Sequence, residues 1–217
     1  YKEWSRESDD LCESAHGNAT LRKMLEDADV RSRALVADRG FTAGRTFFAD
    51  KKRAERLLKV IDKERETKLL SSYGKFAAHI DGEKILGRDL KALTQHPSME
   101  LRSSFAEHVL PQHPNAFSLE IVKTMLDDAD WSVRRAALRS LSANGRTRPN
   151  DAICALLKTQ LSRDDKLVET AIDAGSSSKC PGMVQSVIAE VEKRATDPDR
   201  FASSDLAGIS WSLSSIC

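Results

Sequence analysis

The chain repeats itself, and that limits its fold more than any other feature of its 217 residues. Met125-Leu126-Asp127-Asp128-Ala129-Asp130 echoes Met24-Leu25-Glu26-Asp27-Ala28-Asp29. Each is followed by a helix start with a Val-Arg pair. The later copy reads Val133-Arg134-Arg135-Ala136-Ala137-Leu138; the earlier reads Val30-Arg31-Ser32-Arg33-Ala34-Leu35, with two fewer residues in the joining turn. Leu101-Arg102-Ser103-Ser104-Phe105-Ala106 lies 32 positions before the Val133 copy, and Leu167-Val168-Glu169-Thr170-Ala171-Ile172 lies 34 after it. Leu69-Leu70-Ser71-Ser72-Tyr73-Gly74 precedes the Leu101 copy by 32 and matches it in apolar spacing, and a further step of 34 reaches Phe201. Such a period marks stacked helix pairs, none of which can bury its apolar stripe alone. It predicts about six pairs.

Each unit has a physical reading. A first helix ends at an Asp-rich turn, and the Asp caps the second helix by accepting its free N–H groups. Asp130, Asp164 and Asp199 stand at that position, and Pro97 and Pro198 suit the same turn. The second helix is apolar at i, i+4 and i+8, as in Val133, Ala137 and Leu141. The small Ala136 and Ala137 let neighbouring helices approach closely.

The stretch from Leu126 to Leu138 resembles a HEAT repeat, and residues 24–37, 93–110 and 161–175 resemble it less closely. The resemblance implies an all-α, right-handed α-solenoid forming one domain over 1–217. Its clearest repeats are 93–110, 125–145 and 156–175, and 40–90 is irregular. It also implies a ladder between units, in which Arg31, Arg102 and Arg134 match the arginine position and Val168 departs from it. The second helices of such a stack line its concave face. The family fixes no chemistry.

Composition narrows the partners. The net charge of +1 gives no global pull toward nucleic acid or an anionic surface. No apolar run is long enough to span a bilayer, and the polar start from Tyr1 to Arg6 lacks a signal-peptide core. With no initiator Met, the chain is expected to be a piece of a longer one. Cys12, Cys154, Cys180 and Cys217 form no Cys-x-x-Cys pair and suit no metal knuckle. They are expected to be small core residues in a reducing, cytoplasmic setting.

Several motifs invite sharper readings. Gly40-Phe41-Thr42-Ala43-Gly44-Arg45-Thr46 distantly resembles a phosphate loop, but its spacing is one residue short and Arg replaces Lys. A loop between units is expected there. His96, His108 and His113 crowd one unit without paired ligand spacing, and Pro111 is expected to break the helix between the last two. They are expected to be capping or exposed residues, and no metal or cofactor is expected. Arg45 to Lys68 mixes nine cations with five carboxylates. Such a mixture suits a solvated helix face more than a phosphate patch.

Arg134, Arg135, Arg139, Arg146 and Arg148 form a second basic cluster. Arg135 and Arg139 are four apart and share a helix side. Trp131, in the preceding turn, either staples that turn or anchors a partner; burial is the expectation, with partner contact the alternative. Trp4 and Trp211 are expected to cap the two ends of the stack.

These residues point to a non-enzymatic scaffold that binds another macromolecule, most readily a protein, through Trp131, Arg135, Arg139, Arg146 and Arg148. The alternative is a nucleic-acid-binding protein resembling the HEAT-like DNA alkylation-repair glycosylases. That reading needs a basic groove, aromatics and a carboxylate.

Overall fold

A computed structural model of the chain describes residues 23, 30–31, 33–34, 51–86, 88–143, 150–163 and 167–196. Among them every regular element is helical, as the repeat spacing predicted. The α-helices are α1 (Lys51–Lys63), α2 (Thr67–Ala78), α3 (Arg88–Ala92), α4 (Met99–Gln112), α5 (Ala116–Met125), α6 (Trp131–Ala143), α7 (Asp151–Leu161), α8 (Val168–Ser177) and α9 (Met183–Ala195). A π-turn at Gly82–Leu86 and a 3-10 turn at Leu93–Gln95 flank α3. The Gly40–Thr46 loop, Trp4, Trp211, Cys12, Cys217, Arg146, Arg148, Asp164, Pro198, Asp199 and Phe201 lie outside the described residues.

The turns before α2, α4 and α6 are copies of one another. These helices begin at Thr67, Met99 and Trp131, in two equal steps of 32 residues. Three residues before each start, a side chain accepts the N–H of the residue two further on. Glu64 Oε1 takes Glu66 N at 3.1 Å, His96 Nδ1 takes Ser98 N at 3.1 Å, and Asp128 Oδ1 takes Asp130 N at 2.9 Å. A carboxylate, an imidazole and a second carboxylate thus serve one purpose, because each offers a lone pair at the same reach. Arg102 Nη1 donates back to His96 O and Pro97 O at 2.6 and 3.2 Å, and Arg134 Nη1 to Asp128 O and Ala129 O at 2.8 and 3.0 Å. Each arginine therefore fastens the turn ahead of its own helix.

The chain divides into two compact units, Tyr1–Ile121 and Val122–Cys217. In the first, α1 buries Ala54, Leu57 and Ile61. Lys51, Lys52, Glu55, Lys59, Asp62 and Lys63 are exposed, and Lys51 lies 3.9 Å from Glu55 one turn on. This is a solvated amphipathic face. Helix α2 packs against α4 so closely that a Cβ on Gly74 would stand 2.6 Å from Leu101 O. Tyr73, Phe76, Leu101 and Phe105 fill the contact. Helix α4 ends between His108 and His113, as expected from Pro111. Pro111 sits in the last turn, where one lost hydrogen bond is tolerated, and the helix ends a residue later at Gln112.

The earlier Val-Arg copy differs from the later. Val30 is 41% exposed, whereas Val133 is 0% exposed. Arg31 is also exposed. Two residues on, Arg33 donates through Nε and Nη2 to the buried Glu64 carboxylate, at 2.9 and 3.3 Å.

In the second unit, Val133, Ala137 and Leu141 of α6 are buried as the stripe predicted. Helix α8 packs against α6 and α7, contributing Ala171, Ile172 and Ala174. Val168, which departs from the arginine position, is buried. Cys154 and Cys180 are buried too, but the expectation of free thiols is corrected there: they form a disulfide with Cα atoms 5.4 Å apart. Packing of α7 beside α8 and α9 brings these two residues together from 26 positions apart. The turn carrying Cys180 includes Lys179 at φ 51° and Gly182 at φ 69°. It is further tied to α6 by Ser178 Oγ donating to Leu141 O at 3.4 Å.

Candidate functional site

The α6 face is built from its capped start. Asp130 Oδ1 accepts Ser132 N–H at 2.8 Å and the Ser132 hydroxyl as well. This fixes Trp131 as the first helical residue. From there Trp131, Arg135 and Arg139 follow at i, i+4 and i+8, and all three are exposed. Trp131 is 45% exposed, so the expectation of burial is corrected. Its place at the helix start turns it away from the Val133–Ala137–Leu141 stripe. The Arg135 guanidinium lies 5.9 Å from the Trp131 ring centroid, within cation–π range.

Helix α8 offers a matching row. Glu169, Asp173 and Ser177 are exposed at the same step of four. Arg135 and Arg139 plus 34 positions give Glu169 and Asp173, so places 34 residues apart on α6 and α8 carry opposite charge. The two rows line a cleft of about 190 Å³, with Ser142 and Thr170 adding hydroxyls. The carboxylate row was missed from the sequence, although the 34-residue step pointed to it. The cleft can hold a polar partner by charge-assisted hydrogen bonds, and the exposed indole can add stacking.

A larger hollow of about 620 Å³ lies in the first unit, between the turns that start α2 and α4. Its polar walls are already engaged in building the fold. Glu64 and His96 accept turn N–H groups, and Ser98 caps α4 by accepting Leu101 N–H at 3.2 Å. Burial pushes the Glu64 carboxyl up, but hydrogen bonds from Arg33 and the N–H groups of Glu66 and Arg65 outweigh it and hold the pKa below its ordinary value. Close by, the Tyr73 hydroxyl is buried with no hydrogen-bond partner among the described residues, and burial pushes its pKa up to about 12.

His108 and His113 each meet a backbone carbonyl. His108 Nδ1 meets Ser104 O at 2.8 Å, and His113 Nε2 meets His79 O at 2.9 Å. Among the described residues, no group of three or more His, Cys, Asp or Glu could hold a metal ion, and no helix is long and apolar enough to cross a membrane. Comparison of the chain with protein-family models, curated proteins and solved structures found no match.

Proposed function

We propose that this chain is a HEAT-like α-solenoid scaffold that binds another protein through its second helices, without catalysis of its own. The repeated turns at 64–66, 96–98 and 128–130 support the repeat reading, and an arginine ladder between units, including Arg31, belongs to it. The observation that carries the binding site is the exposed Trp131–Arg135–Arg139 row beside Glu169 and Asp173. Exposed aromatic and arginine side chains dominate the energetics of protein interfaces. Arg146 and Arg148, outside the described residues, belong to the proposed contact on the strength of the sequence alone. The carboxylates make a partner of mixed charge a better fit than a purely acidic one. They also count against nucleic acid, whose phosphates they would repel.

Scattered cysteines suggested the cytoplasm, but the Cys154–Cys180 bridge favours an oxidising compartment. The test is affinity capture under non-reducing conditions with the wild-type chain and with Arg135→Glu/Arg139→Glu. A specific protein retained by the first and lost by the second supports the reading. Retention unaffected by the charge reversal overturns it, and salt-sensitive binding of duplex DNA that depends on the same residues would establish the alternative.

A further inference from the structure

The geometry points to a second copy of this chain as an occupant of the α6–α8 face, an inference that rests on the reading of this face as the binding surface. Arg135 and Arg139 form one exposed row, and Glu169 and Asp173 form the other, on either side of one cleft. A surface with two such rows is its own electrostatic complement. A two-fold axis running along the cleft sets Arg135 of one copy over Glu169 of the second copy, and Arg139 over Asp173 of the second copy. Symmetry then repeats both pairs in reverse, as an isologous interface requires. The alternative two-fold arrangement, with the axis across the cleft, sets arginine over arginine and is repulsive, so charge selects one register.

Trp131 lies at the edge of this face, 45% exposed beneath Arg135. It supplies the apolar contact that exposed ion pairs alone lack, since such pairs are worth little singly. Arginine suits this role because the flat face of its guanidinium can stay over the indole while its in-plane N–H groups bond a carboxylate on the second copy.

Sedimentation over rising concentration tests this directly. The wild-type chain is expected to show a monomer–dimer equilibrium that added salt weakens. Arg135→Glu/Arg139→Glu and Glu169→Arg/Asp173→Arg should each weaken self-association by about tenfold or more. Mixing these two variants should restore a dimer, because each then carries the charge the other lacks. Arg135→Gln/Arg139→Gln adds no like charge to the face and should also weaken the dimer, and circular dichroism of every variant confirms the fold. A wild-type chain that stays monomeric overturns the inference, as do reversed variants that dimerise like the wild type and gain nothing on mixing. If self-association is absent while a captured protein still depends on Arg135 and Arg139, the inference falls and the binding face stands. If neither is seen, both fall.

Discussion

The Arg135 guanidinium lies over the Trp131 ring, 5.9 Å from its centroid, and both side chains are exposed at the start of α6. An exposed cation–π pair contributes about 0.5–1 kcal/mol. Trp131→Ala is therefore expected to lower stability by no more than about 1 kcal/mol while weakening partner capture. A thermal midpoint that collapses on this substitution would show that Trp131 is a core residue after all.

Glu64→Ala should act in the opposite way. Glu64 receives Arg33, Arg65 N and Glu66 N, so one truncation removes a half-buried ion pair and the acceptor before α2. Losing hydrogen bonds to a charged group of this kind costs about 2 kcal/mol. Denaturant unfolding measures the loss, and a change under about 1 kcal/mol would contradict the bonding described.

Gly74→Ala tests the α2–α4 crossing. In a helix this change ordinarily stabilises by about 0.5–1 kcal/mol. Here the new Cβ meets Leu101 O, a backbone atom that cannot swing aside. The expected result is a loss of about 1–3 kcal/mol. Stabilisation would mean the helices stand further apart.

Removing the disulfide with Cys154→Ser/Cys180→Ser should lower stability by about 3 kcal/mol, the scale for closing a loop of this length. Urea unfolding of the variant against the oxidised wild type measures the effect. Thiol labelling that finds Cys154 and Cys180 free in unreduced native protein would show that the bridge is not formed.

His96 gives a pH dependence. Burial, against the pull of Asp62, holds its pKa below the ordinary 6.5. As pH falls below that value the unfolded chain binds the proton first, so stability is lost. The contribution is complete above 6.5 and disappears as pH falls through the folded-state pKa. Protonation also removes the Nδ1 lone pair that accepts Ser98 N–H. Unfolding at about pH 7.5 and about pH 5 should show a larger acid loss in the wild type than in His96→Asn, whose amide oxygen does not titrate in this range. Equal losses would remove His96 from the account.

Local structure was legible in the order of the residues. Apolar spacing and a capping Asp act within a turn or two, so the α6 start at Asp130 and the buried Val133, Ala137 and Leu141 could be read directly. The same reach made Arg135 and Arg139 legible as neighbours on one helix side. The pairings between helices came from the way the helices pack. Cys154 meets Cys180, Arg33 meets Glu64, and the arginine row lies beside Glu169 and Asp173 because of how helices far apart in the chain pack. Residue types do not reveal such distances. Val30 is exposed and Val133 buried although each opens a Val-Arg pair, because burial depends on what packs against a position and not on the motif it belongs to.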